Sequence, residues 1–267
     1  MNYISRYNLE FNPFIKNSKE IPVETSEYKE VIFRLNYLLQ TKGFGVLTGG
    51  PGKGKTTIVR NWANNLNKAA YKVIYISLST LTVLEFYRNL ATNLNIEPHY
   101  RKTENFKDIR NAIERYVTEK KITPIIVLDE ANYLPSSTLN DLKLLFNFEM
   151  DSSDKAVVLL VGLPKLNTTL NLNIHEPLKQ RITMNYNLDG LSKEESRRYI
   201  LTKLKGAGCE TQIFEEAALE SIINSSNGIP RYINKLCNQA LLLGNSKGQN
   251  IIDADTVTAA LNDIELG

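Results

Sequence analysis

Residues 44–56 read Phe44-Gly45-Val46-Leu47-Thr48-Gly49-Gly50-Pro51-Gly52-Lys53-Gly54-Lys55-Thr56. An apolar run of strand length enters a glycine cluster, and helical spacing follows at once with Ile58, Val59, Trp62, Ala63 and Leu66. Residues 49–56 satisfy G-x-x-x-x-G-K-[ST], a phosphate-binding loop set between a strand and a helix. The chemistry needs these residues: glycines let backbone N–H groups turn inward as an anion nest, and the helix adds its positive end. In such a loop Lys55 bridges the β- and γ-phosphates of a nucleotide, and the Thr56 hydroxyl ligates Mg²⁺. The expected nucleotide contacts are therefore Gly49, Gly50, Pro51, Gly52, Lys53, Gly54, Lys55, Thr56 and Thr57. Lys53 is an unusual addition that a solvated position explains equally well.

Outward from this loop, the pattern gives a helix over 28–41 and further apolar strands over 72–77, 125–128 and 156–161. Helices are expected over 82–94, 106–120 and 137–149. Short apolar strands alternating with helices mean βαβ units and a parallel sheet buried on both faces. After about residue 190 only helical spacing remains, over 193–205, 215–224, 231–244 and 254–263. Residues 1–30, broken by Pro13 and Pro22, read as loop. The expected organisation is an α/β nucleotide-binding core over 1–190, carrying an N-terminal extension, and a helical lid over 191–267.

Asp129-Glu130 follows the strand 125–128 directly. In a nucleotide-binding α/β sheet this is the carboxyl edge, beside the phosphate loop. Asp129 is expected to hold Mg²⁺, directly or through water, and Glu130 to orient the attacking water. An acidic pair ending a strand also serves as a plain loop or helix cap.

Composition excludes several classes. With 42% hydrophobic and 23% charged residues, the 267-residue chain is neither disordered nor fibrous. Its apolar runs are far short of the ~20 residues a membrane helix needs. No basic flank leads into an apolar stretch at the N-terminus, so the expectation is a cytoplasmic protein without a signal peptide. Cys209 and Cys237 are far apart, and His99 and His175 are the only histidines, which argues against cysteine or histidine metal clusters. The net charge is +3, too small to mark a nucleic-acid binder on bulk charge, so any DNA contact must be a local patch.

The phosphate loop, Leu128-Asp129-Glu130-Ala131, Val161-Gly162-Leu163-Pro164, Gln180-Arg181-Ile182 and Gly228-Ile229-Pro230-Arg231 occur in that order. Together they resemble an AAA+ ATPase, specifically the group similar to ExeA, TnsC and MuB, over about residues 12–243. The resemblance implies a P-loop NTPase fold, ATP and Mg²⁺ as cofactors, ATP hydrolysis, and a homo-oligomeric ring or filament. It implies that Arg181 is an arginine finger reaching a neighbouring subunit's γ-phosphate. Arg231 matches a sensor-2 arginine that contacts nucleotide from the lid of its own subunit. Pro230 suits the first helical position, placing Arg231 in the first turn. One departure stands out: relatives carry a polar side chain after the glycine ending the fourth strand, and here it is Leu163. Either Asn167 or another group substitutes, or hydrolysis is slow.

In TnsC-like relatives the segment matching Arg101-Lys102-Thr103 tracks the DNA backbone; a solvated charged face is the equally weighted alternative. ExeA-type proteins carry a membrane segment and a cell-wall-binding region that this sequence lacks, which favours a transposon-encoded target-selection ATPase. The implied partners are duplex DNA and a transposase, with no membrane. The alternatives are an ExeA-like ATPase switch acting on protein partners in secretion or signalling, and a replication initiator or helicase loader.

Overall fold

The computed structural model describes residues 3–77 and 81–265. In chain order its helices are α1 (Tyr3–Arg6), α2 (Ser26–Thr41), α3 (Lys55–Asn64), α4 (Val83–Asn93), α5 (Lys102–Thr118) and α6 (Ser136–Leu145). They continue with α7 (Lys165–Leu170), α8 (Glu176–Lys179), α9 (Lys193–Gly206), α10 (Glu216–Ser226), α11 (Pro230–Ser246) and α12 (Ala254–Glu265). The strands are β1 (Gly43–Gly49), β2 (Tyr71–Ile76), β3 (Thr123–Leu128), β4 (Val157–Gly162) and β5 (Ile182–Leu188). Residues 30–51 and 55–188 make an α/β body; residues 1–29, 52–54 and 189–267 make a helical one.

Among the described residues the α/β body holds one five-stranded sheet in the order β2-β3-β4-β1-β5. Every neighbouring pair is parallel, so all the carboxyl ends lie on one edge. Every residue of β1 and β4 is buried, as is β3 from Pro124 to Leu128. This is why these strands read as unbroken apolar runs: helices cover both faces. β2 and β5 are the edges, and there burial alternates. In β5, Met184 and Leu188 are buried while Thr183 and Asn185 face outward. The sequence reading did not find β5, because a strand buried on one face lacks the continuous apolar signal. α2 places Leu38 against β1 so closely that a Cβ on Gly45 would come within 2.4 Å of its Cδ2.

The helical body has its own core, in which Ile200, Ile222, Ile233, Leu236, Leu241 and Val257 are fully buried. Tyr7, Leu9 and Phe14 of the N-terminal segment pack into this same core. The N-terminal extension expected on the α/β core thus groups with the helical body instead. It also contains α1, in a stretch read as loop. Asn12 anchors it, donating to Asn238 Oδ1 at 2.7 Å and accepting from the Phe14 backbone N–H at 2.9 Å.

Candidate nucleotide site

β1 delivers Gly49 to the carboxyl edge, and α3 starts at Lys55. The turn between them requires glycine: Gly52 and Gly54 adopt φ +76° and +97°, where a side chain is strained. Gly52 is also crowded. Its carbonyl accepts the Arg231 backbone N–H at 3.2 Å, and a Cβ there would stand 2.8 Å from the Arg231 Cβ. Arg231 itself lies in the first turn of α11, after Pro230 at its start, with an exposed side chain. Lys55 Nζ donates to the loop carbonyls of Gly49 and Gly50 at 2.7 and 3.0 Å. Those contacts hold the ammonium over the turn, within a small rotation of any phosphate seated in it. Thr57, one residue further along α3, is exposed.

β3 brings the acidic pair to the same edge. Asp129 is 4% exposed, and burying a carboxylate is costly unless it is hydrogen-bonded. Its Oδ2 accepts from Thr56 Oγ1 at 2.9 Å and from Tyr75 Oη at 2.6 Å; its Oδ1 accepts from the Glu130 N–H at 2.9 Å. The Thr56–Asp129 contact joins the two motifs across 73 residues of sequence. Glu130 is exposed and sits at φ 54°, a left-handed conformation uncommon for a side-chain-bearing residue. That turn ends the strand direction at the carboxyl edge of β3.

These oxygens suit Mg²⁺. It is a hard cation usually held through one or two carboxylates plus substrate phosphates, with waters retained. One carboxylate and one hydroxyl fit a metal that arrives with nucleotide. Among the described residues no group of three or more His, Cys, Asp or Glu could cage a metal alone.

The position after Gly162 is filled as Leu163, and polar groups gather around it. Asn132 Oδ1 accepts the Leu163 N–H at 2.8 Å, so close to Gly162 that a Cβ there would lie 2.7 Å from it. Asn167 Nδ2 donates to Thr48 Oγ1 at 3.0 Å, and its Oδ1 accepts from Asn185 at 3.3 Å. Thr48 in turn donates to Asn187 Oδ1 at 3.0 Å. Asn167 therefore reaches the end of β1 that leads into the phosphate loop. Asn132 and Tyr75 were missed by sequence reasoning. Asn132 could have been suspected from its place in the Asp-Glu-Ala-Asn run; nothing in an apolar edge strand singles out Tyr75.

Two of the expected cations have partners within the chain. Arg181 has a side chain only 16% exposed. It donates to the carbonyls of Lys143 at 2.8 Å and Phe146 at 3.1 Å, meets Asp154 at 3.3 Å, and lies over the Phe44 ring. It closes the C-terminal end of α6, where carbonyls lack helical partners and the dipole favours a cation. Arg110 assists, donating to the carbonyls of Leu144, Leu145 and Asn147. Lys102 pairs at 2.5 Å with Asp141, whose side chain is 12% exposed. Its charge is thereby spent within the chain. All three residues of the predicted DNA segment are exposed, Lys102 with its ammonium paired to Asp141, beside Tyr100, which is 88% exposed under the Arg88 guanidinium.

The family model described as an AAA domain matches residues 38–170. The chain is 31% identical to general secretion pathway protein A of Aeromonas hydrophila over 264 residues. That alignment covers 97% of this chain and 48% of the secretion protein, so the chain spans about half of that relative's length. It is 28% identical to ATP-dependent target DNA activator B of Escherichia phage Mu over 124 residues, 46% of this chain and 37% of the activator. In fold it resembles the Aeropyrum pernix ORC2 protein, solved as ADPNP–ADP complexes, with TM-score 0.69 and 17% identity over 94% of this chain and 71% of that one. Among the described residues no helix is long and apolar enough to cross a membrane. A phosphate loop joined to an acidic strand end on a five-stranded parallel sheet, with the AAA-domain match over the residues that carry both motifs, gives the chain the fold of an AAA+ P-loop NTPase.

Proposed function

We propose that this chain binds ATP with Mg²⁺ at the phosphate loop, hydrolyses it, and uses the cycle to regulate DNA transposition on duplex DNA. The observation that carries the nucleotide part is the 2.9 Å contact of Thr56 with Asp129, which unites both motifs in one site. Backbone N–H groups of residues 50–56 and Lys55 hold the phosphates. Thr56 and Asp129 would hold Mg²⁺, which would supply positive charge to offset that of the phosphates. Glu130 orients the attacking water and accepts its proton. Asn132 and Asn167 supply the polar surroundings that Leu163 cannot, so the leucine does not abolish turnover.

The transposition part is supported by the likeness to the phage Mu target DNA activator. Contact with the DNA backbone then falls to Arg101 and Thr103, with a homo-oligomer aligning the exposed segments, and the transposase as protein partner. Arg181 acts as a finger in that oligomer only by leaving the end of α6. The identity with the secretion protein runs over far more of the chain, and favours a second reading: a nucleotide switch acting on protein partners. ATPase assays with and without unrelated duplexes separate the two. Stimulation by DNA of any sequence supports the first reading; DNA indifference, with intact turnover, supports the second.

A further inference from the structure

Tyr75 belongs to none of the recognised motifs. It lies on edge strand β2, in register with Val127 of β3. Its neighbours Ile74 and Ile76 are buried at 2% and 4%, and strand alternation turns Tyr75 to the opposite face, where it is 47% exposed. A ring so placed adds little to the core. Its hydroxyl nevertheless makes a 2.6 Å charge-assisted hydrogen bond to Asp129.

We propose that Tyr75 is a positioning residue of the nucleotide site: its hydroxyl locks the Asp129 carboxylate so that Asp129 reaches Mg²⁺ through a water held on Oδ1. This rests on the phosphate-loop reading above. A carboxylate oxygen offers about two lone-pair positions. At Oδ2 both are taken, by Tyr75 and Thr56, and at Oδ1 the Glu130 N–H takes one. The remaining Oδ1 position is the one left for a metal-bound water. The lock also aims Thr56. Its single hydroxyl proton goes to Asp129, which leaves the oxygen's lone pairs for the metal. Without Tyr75 the carboxylate keeps two of three protein donors and can rotate, so the pair is no longer preset for a metal that tolerates little departure from octahedral geometry.

The test compares full-length wild type and Tyr75→Phe for binding of a fluorescent ADP analogue, in EDTA and in excess MgCl₂. The substitution keeps the ring, half of which lies in solvent, but removes one of three donors from the buried Asp129, so the thermal midpoint in EDTA should fall modestly while the circular dichroism spectrum stays that of wild type. Nucleotide affinity in EDTA should also match, because the Tyr75 hydroxyl bonds to Asp129 and not to the backbone groups or the lysine that hold the phosphates. The tightening produced by Mg²⁺ should shrink at least about tenfold, the lower end of the worth of one hydrogen bond to a charged group. Equal Mg²⁺ tightening in both proteins overturns the role of Tyr75 while leaving the nucleotide site intact. Equal weakening in EDTA and in Mg²⁺ overturns it too, by showing a general structural part. If the wild type binds no nucleotide, the phosphate-loop reading falls and the Tyr75 role with it.

Discussion

Arg181→Ala tests whether this arginine holds the α/β body together. The guanidinium donates to two backbone carbonyls at 2.8 and 3.1 Å, meets Asp154 at 3.3 Å, and lies 5.3 Å from the Phe44 ring centroid. Truncation leaves the carbonyls of Lys143 and Phe146 facing a cavity too small to hydrate them well. Each loses a hydrogen bond to a charged donor, and the ring loses a cation–π contact worth about 0.5–1 kcal/mol. Asp154 is 36% exposed and rehydrates, so its pairing adds little. The sum is a destabilisation of about 3.5–7 kcal/mol, read as a lower urea midpoint followed by circular dichroism. Arg181→Lys should fall between, because a single ammonium cannot span both carbonyls and the ring. If Arg181→Ala keeps wild-type stability yet loses ATP turnover, the latch is wrong and the side chain serves a neighbouring subunit's nucleotide.

Three further outcomes follow from the same geometry. Glu130→Gln should bind ATP at wild-type affinity but turn over at least a hundredfold more slowly in a phosphate-release assay, since the amide orients water without accepting its proton. Lys102→Ala should cost stability by leaving Asp141 buried without its cation, whereas Arg101→Ala should leave stability unchanged and flatten the salt dependence of duplex binding by anisotropy. Burial lowers Lys203 from the usual lysine range to about 8, so between the two the unfolded chain binds the extra proton and stability rises with pH. Comparison with Lys203→Met by urea titration isolates this rise from Cys237, whose burial raises its thiol and works the other way above about pH 9.

The fold was largely legible because its central strands are buried on both faces. β1, β3 and β4 stand out as apolar runs for the same reason that they pair in the middle of the sheet. β5 did not, because Thr183, Asn185 and Asn187 interleave its buried residues. α6 was expected to run to residue 149 but ends at Leu145, where Arg110 and Arg181 cap its carbonyls from distant points in the chain. No local signal announces a cap delivered by tertiary structure. In the site, the local motifs made the phosphate loop and the acidic pair legible as candidates, whereas neither the resemblance at Arg181 nor the charge of Lys102 shows that these cations meet partners delivered by distant segments. The hydroxyl of Tyr75 and the amides of Asn132 and Asn167 gain meaning only when separate strand ends come to one edge.

The most direct test of the account is calorimetric titration of the wild type and Lys55→Ala with a non-hydrolysable ATP analogue in Mg²⁺. The account predicts one site per wild-type chain and loss of measurable binding in the variant, whose fold should persist because the Lys55 ammonium bonds to the loop carbonyls of Gly49 and Gly50. Equal affinity in the two proteins would contradict it.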